Sequence, residues 1–315
     1  MSARTLGILV SAASEAAAND AGTQGHPADV QSGADLAQAL EDLGHRARLV
    51  PIDEALDLAV PALNIDACIV ALHGPLGGSG RVQARIAEAR LPHCGPTSQQ
   101  VETAYDKWRS REILRYHNLP VPPSIRVTSG AVLADRSFEG LRWPCVLKPR
   151  RASFGEGQIR IDTASELEVA LRHRSHPAPS RDLILERHIE GAEIQVVLLD
   201  GRVVGSMQVD GDQMMTPPQL GDTRISGLHN LALRAALALS LHRGICRVDV
   251  LVHPRDNEFI LEVEPVPPLH RESVVARVAR AAGISYAGLV QHLLGAGAQR
   301  PQPAPSPSLS PAMAV

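Results

Sequence analysis

Arg247-Val-Asp-Val250 and Ile260-Leu-Glu-Val-Glu264 are the two runs whose reading decides the fold. In each, branched apolar residues alternate with charged ones at a period of two, which predicts buried strands with one charged face. Asp256-Asn257 between them is a turn signal, so the halves are expected to form an antiparallel hairpin. Residues i and i+2 of a strand share a face, so Glu262 and Glu264 point together. Asp249 then faces them across the hairpin. Three carboxylates on one patch repel unless a cation sits among them, and hard oxygen ligands favour Mg²⁺. A solvated acidic hairpin face is the other reading of the same residues.

Bulk properties narrow the choice. At 315 residues the chain is too long for one small core and is expected to hold two or three packed units. Its net charge of -3 and its ordinary apolar content argue against disorder and against a broad nucleic-acid surface. Aromatic residues are 3% of the chain, too few for base-stacking platforms. Cys68, Cys94, Cys145 and Cys246 lie far apart and mostly in apolar runs, as buried reduced thiols of a cytoplasmic protein do. No apolar run reaches the roughly 20 residues of a membrane helix. Leu6 to Ala13 reads as a first strand and is too short and too weakly flanked for a secretion signal.

Outward from the hairpin, the order of elements predicts an open α/β unit at the start. Leu6 to Val10, Arg48 to Val50 and Ala67 to Leu72 are strands, with a helix from Ser32 to Leu43 ending at Gly44. Ser11 to Gln31 reads as a loop. The third strand runs into the Gly-rich loop His73-Gly-Pro-Leu-Gly-Gly-Ser-Gly80, followed by a helix from about Val82. That loop has neither the P-loop Lys-Ser/Thr nor a spaced dinucleotide fingerprint, which counts against a dehydrogenase. His73 either contacts substrate or caps the strand end. Val101 to Tyr116 is expected as one helix, with Arg109, Arg111 and Arg115 on a solvated face. Trp143 to Pro149 and Gln158 to Ile161 read as a hairpin around a Gly-containing loop, with Lys148 closing the first strand. Such a loop covers phosphates, or it is a surface hairpin with one snorkelling Lys. Glu193 to Leu199 is a strong strand with a hairpin turn at Asp200-Gly201, Asp210 to Gly227 reads as a loop, and Asn230 to Leu241 as a helix. Helices from about Glu272 to Ala282 and Tyr286 to Leu294 follow, and the Pro-, Ala- and Ser-rich end is expected to be disordered.

Taken in order, these motifs resemble the ATP-grasp superfamily and, within it, the D-alanine:D-alanine ligase family. The resemblance runs from Leu6 to about Leu294 through His73-Gly-Pro, Gly80-Arg-Val-Gln, Asp106-Lys107, Leu119-Pro-Val-Pro, Val146-Leu-Lys-Pro, Glu186 through Glu193, Arg247-Val-Asp, Leu261-Glu-Val-Glu, Ser273 and Ala281 through Tyr286. It implies an α/β fold, α+β in its later units, with three-unit ATP-grasp architecture: an N-terminal α/β domain (1–100), a central lid (101–186), a C-terminal metal-binding domain (187–295) and a disordered tail (296–315). It implies ATP and Mg²⁺ as cofactors. Lys107 and Lys148 would contact the phosphates, Glu186, Arg187, His188 and Ile189 the adenine edge, and Glu193 the ribose. Asp249, Glu262 and Glu264 would hold Mg²⁺, while Arg247, Ser273 and His73 would serve catalysis. The implied partners are small amino-acid substrates, without nucleic acid or membrane, in a cytoplasmic homodimer.

The departures from that pattern cluster. Glu264 stands where the family has Asn, Phe154 where it has a lid Ser, and Pro268, which has no N–H, where it has an oxyanion-binding Gly. No Tyr or Lys lies between Asp210 and Gly227, Gly78-Ser79 replaces an acidic pair, and Pro27 falls at the amino-group Glu, with Asp29 close by. Nucleotide and metal residues are kept and amino-acid-recognition residues are changed. The expected activity is an ATP-dependent carboxylate–amine ligase working through an acylphosphate. The alternative is a nucleotide-binding homologue that has lost ligation.

Overall fold

The computed structural model describes residues 3–12, 27–52, 64–128, 141–153, 155–172, 182–211, 213–254 and 257–297. Residues 13–26, Phe154, Asp256 and the segment from 298 onward, on which expectations above fall, lie outside these.

The first sheet is parallel. β1 (Thr5–Ser11) pairs with β2 (Arg46–Ile52) on one side and β3 (Ala67–Val70) on the other, and β4 (His93–Cys94) completes the order β2-β1-β3-β4. Residues Leu6 to Val10 are all buried, as a strand covered on both faces requires. Helix α1 is Pro27–Asp42, so residues 27–31, expected as loop, are helical, while residues 13–26 of that expectation lie outside the described residues. Asp29, a polar residue that reads as loop, and Ser32, expected at the helix start, are both buried within that helix. The Gly-rich run is not a loop throughout: Gly74–Gly78 forms the short helix α2, and α3 follows at Arg81–Glu88. A Cβ at Gly77 would lie 1.9 Å from the Leu72 carbonyl oxygen, so only glycine lets α2 turn back onto the strand end.

The expected helix from Val101 to Tyr116 is two. α4 (Ser98–Tyr105) begins with a Thr97–Gln100 capping box, and α5 (Lys107–Tyr116) begins afresh at Asp106. Asp106 has an extended backbone (ψ 93°), and its carboxylate accepts the Arg109 N–H as the cap of α5. Asp's preference for caps over helix interiors explains the break.

The second sheet is antiparallel, with order β5-β8-β6-β7: β5 (Ser124–Thr128), β6 (Cys145–Pro149), β7 (Ile159–Ile161) and β8 (Asp182–Arg187). It packs on α6 (Ala164–Arg172) around its own core, which includes Cys145, Leu147, Leu167 and Leu185. The third sheet has order β11-β10-β9-β12-β13. Its strands are β9 (Ala192–Leu199), β10 (Arg202–Asp210), β11 (Gln213–Met215), β12 (Ile245–Val252) and β13 (Glu258–Glu264). The turn joining β9 to β10 has positive φ at both Asp200 (50°) and Gly201 (69°), the hairpin geometry that Asp-Gly favours. Residues 210–227 are not a single loop, because they contain β11 and the start of α7 (Asp222–Ala238). Gly221 leads into that helix, and an acidic first turn outweighs the local polarity that read as loop.

α7 covers one face of the third sheet. α8 (Val274–Ala281) covers the other, and α9 (Tyr286–Gly297) packs on α8, α1 and β4, so that one core holds Leu6 and Ile8 of the first sheet with Val197, Ile245 and Val275. The second sheet stands over this base. All four cysteines are buried and free, and among the described residues no helix is long and apolar enough to cross a membrane. Gly77→Ala is expected to cost about 3 kcal/mol in urea unfolding, because the Leu72 carbonyl is backbone and cannot step aside. An unchanged midpoint would mean that α2 is free to shift.

Candidate active site

A cavity of about 490 Å³ lies between the second and third sheets. Lys148 and Glu186 reach it from the second sheet, and Glu193, Gln195, Arg247, Asp249, Glu262 and Glu264 from the third. Arg187, His188 and Ile189 line it where the chain crosses between the sheets.

The antiparallel register explains the floor. Asp249 pairs with Glu262 and Arg247 with Glu264, so charged residues at alternate positions of both strands face one way. The expected hairpin therefore forms, with a bulge between Asp249 and Val250. The carboxylates do not gather into a ligand cluster, however: among the described residues no three His, Cys, Asp or Glu side chains are so placed. Arg247 instead forks Asp249, donating from Nε to Oδ1 at 2.7 Å and from Nη2 to Oδ2 at 2.8 Å, and lies 3.9 Å from Glu262. Lys107 Nζ lies 3.4 Å from Glu262 Oε2 and donates to the Ala152 carbonyl at 2.6 Å. Burial, with Glu262 and Glu193 adding to it against Arg247, pushes the Asp249 carboxyl above the ordinary range. Burial and Glu262 do the same to Glu264, whose Oε1 accepts the Val266 N–H at 3.1 Å.

At the opposite wall Glu186 is buried between two cations. Lys148 Nζ donates to its Oε1 at 2.7 Å and Arg111 Nη2 to its Oε2. Burial opposes its charge, but Lys148 and Arg111 outweigh burial and hold the carboxyl below the usual range. Burial also pushes the Lys148 ammonium down to about 8, against the pull of Glu186.

Arg111 corrects the reading of its helix as a solvated basic face. Arg109 is exposed, but Arg111 is 2% exposed and also donates to the Lys107 carbonyl at 3.0 Å and the Leu261 carbonyl at 3.4 Å. The signal was present: Lys107, Arg111 and Leu114 stand four and three residues apart, on one helix face, and Leu114 is apolar. Arg150 was also missed. It forks Asp106 with two bonds of 2.6 Å and reaches Asp182 at 2.8 Å, tying the end of β6 to the start of α5.

Three expected residues stand outside the cavity lining: His73, Ser273 and Lys107, the last reaching it only through Glu262. His73 is buried and its Nδ1 lies 2.5 Å from Asp29 Oδ1, a pairing of the chain just after β3 with α1. Ser273 caps α8, its hydroxyl accepting the Ala276 N–H at 3.2 Å.

A small antiparallel sheet closing over a larger one, with lysine, arginine and carboxylates between them, defines the ATP-grasp class. The sequence model described as "D-ala D-ala ligase C-terminus" matches residues 207–295. The D-alanine–D-alanine ligase of Desulforudis audaxviator is 30% identical over 295 residues, covering 86% of this chain and 94% of the relative. That of Anaeromyxobacter dehalogenans strain 2CP-C is 29% identical over 287 residues, covering 85% and 92%. Among solved structures, D-alanine–D-alanine ligase from Bacillus anthracis complexed with ATP superposes with a TM-score of 0.81 at 22% identity, over 93% of this chain and 96% of the other. VanG D-Ala:D-Ser ligase from Enterococcus faecalis gives 0.78 at 16% identity, over 93% and 99%. The chain belongs to the D-alanine–D-alanine ligase family.

Arg111→Met would leave Glu186 with one counter-charge in a buried site. The expected loss is about 3–5 kcal/mol of unfolding free energy by chemical denaturation. A loss below about 1 kcal/mol would show that Lys148 alone suffices.

Proposed function

We propose that this chain is an ATP-dependent carboxylate–amine ligase that joins two small amino acids, D-alanine among them, through an acylphosphate. One observation carries the reading: a cavity between two sheets lined by Lys148, Arg247 and five carboxylates. A carboxylate is a poor electrophile, and transferring a phosphoryl group onto it makes it a good one. That transfer needs positioned phosphates and positive charge beside the equatorial oxygens.

Lys148 keeps N–H donors beyond the one given to Glu186, and with Lys107 would hold the phosphates. Glu186 to Ile189 would receive the adenine and Glu193 the ribose. Arg247 would steady the acylphosphate and the tetrahedral intermediate once the second amine attacks and phosphate leaves. His73 and Ser273, outside the lining, would act by holding the ends of α1 and α8 that border the amino-acid side.

The donor set fits Mg²⁺. Asp249, Glu262 and Glu264 are hard oxygen ligands on one face of the hairpin, and a divalent cation would offset the burial, and behind it the Glu262 repulsion, that hold Asp249 and Glu264 above the ordinary range. Bound there, Mg²⁺ would supply charge neutralisation for the phosphate oxygens. The same reading divides the chain into domains at about residues 100 and 186 and makes it a cytoplasmic homodimer with no nucleic-acid partner. Light-scattering mass tests the dimer.

Purified protein with ATP and Mg²⁺ is expected to release phosphate only when amino acids are added. Failure of every pair in a broad panel, alongside intact ATP binding, would leave the non-ligating alternative. Arg247→Lys keeps a cation beside Asp249 but loses the fork. It should slow turnover by about tenfold or more while ATP affinity stays within about threefold. Equal losses in both would place Arg247 in ground-state binding.

ATP affinity should also respond to pH. With its pKa at about 8, Lys148 is charged below that pH and loses its proton above it, so the dissociation constant should rise from pH 8 to pH 9.5. In Lys148→Met the affinity should be weak and flat over that range. A wild-type profile just as flat would place Lys148 away from the phosphates.

A further inference from the structure

Gln195 was not among the residues expected at the site, yet it sits in its middle. Its β9 position pairs with Asp249 of β12, which in turn pairs with Glu262 of β13. Directly opposed residues of antiparallel strands share a face, with Cβ atoms about 5 Å apart. Gln195, Asp249 and Glu262 therefore form one cross-strand row on the cavity floor, and Asp249 is its centre.

The amide orientation follows from its neighbour. Gln195 donates from Nε2 to Glu193 Oε1 at 2.7 Å, and a carboxylate can only accept, so the nitrogen must be on that side. The oxygen is then the group left over. Gln195 is 9% exposed, and its Oε1 is buried with no hydrogen-bond partner among the described residues. Leaving a buried acceptor unpaired costs about 1–3 kcal/mol. The row supplies no donor, because Asp249 and Glu262 accept, and Arg247, turned onto Asp249, places none of its five N–H groups on Gln195 Oε1. Phosphate oxygens are acceptors too. A donor has to arrive on something else, and a hydrated divalent cation at Asp249 brings water O–H groups to that place, since Mg²⁺ sheds its waters reluctantly.

We infer that Gln195 is part of the cation site, its Oε1 accepting a hydrogen bond from a water of the cation held by Asp249 and Glu262. The inference rests on the nucleotide-and-cation reading above. It makes Gln195 a positioning residue, orienting the cation through its water, and it adds β9 to the two strands of the cation site. One amide thereby links the cation to the carboxylate expected on the ribose.

The test is Mn²⁺ binding, followed by electron paramagnetic resonance on the full chain saturated with ADP, so that the readout is affinity and not turnover. Gln195→Met, similar in size but without the oxygen, should bind Mn²⁺ about tenfold or more weakly, the usual effect of removing such a partner. Asp249→Asn, the control, should lose more. Wild-type affinity in Gln195→Met, with Asp249→Asn impaired, overturns the inference and leaves the cation site standing. No Mn²⁺ binding by the wild type sinks the underlying reading instead. If Mn²⁺ affinity is unchanged but Gln195→Met loses a preference for ADP over 3′-deoxy-ADP, the oxygen belongs to the ribose and the inference is wrong. Should the variant fail to fold, anomalous scattering from wild-type crystals with Mn²⁺ and ADP decides. A peak within about 4 Å of Gln195 Oε1 supports the inference, and one farther than about 6 Å overturns it.

Discussion

The buried Glu186 carboxylate is the point on which the rest of the site depends. A charge so deeply buried persists only with close counter-charges, and here they come from separate elements: Lys148 on the neighbouring strand β6 and Arg111 on helix α5. Arg111 also reaches the Leu261 carbonyl on β13, so one guanidinium touches the second sheet, the linking helix and the third sheet. The cavity wall and the cavity floor are thereby held at a fixed separation. Without Glu186, Lys148 would be an unpaired cation on an inner strand of the second sheet.

The floor works by a different constraint, the pairing register. Three antiparallel strands place Gln195, Asp249 and Glu262 in line, with Arg247 and Glu264 one row away. A one-residue slip would turn the whole set to the opposite face. Val248, Val250 and Val263, buried beneath that floor, fix the register because slipping would exchange them for charges. Packing energy on one face thus holds the chemistry of the other.

The hairpin, three strands of the first sheet and the lid strands are legible because each follows a period of two or a continuous apolar run, whereas the two-residue β4 is too short to show either. The two strand-borne walls of the cavity were legible for the same reason, since alternation tells which residues share a face. What could not be read locally were contacts made across distant elements. Arg111 looked like its exposed neighbour Arg109 because burial of a basic residue depends on Glu186, 75 positions away. Gln195 carried no charge signal and was passed over. The break at Asp106 was hidden in an otherwise regular apolar pattern, and the helix beginning at Asp222 in a polar one. The direction of Asp249 toward Arg247, rather than toward the other carboxylates, is a choice between partners that spacing does not contain.

The central claim is that the space between the two sheets is the nucleotide site. Amide hydrogen exchange with and without Mg·ATP tests it most directly, since both sheets contribute backbone around the cavity. Slowed exchange should be confined to 146–149, 155–158, 186–195 and the facing strands 247–251 and 261–264. Unchanged exchange there, or protection appearing only around the first sheet, would contradict the account.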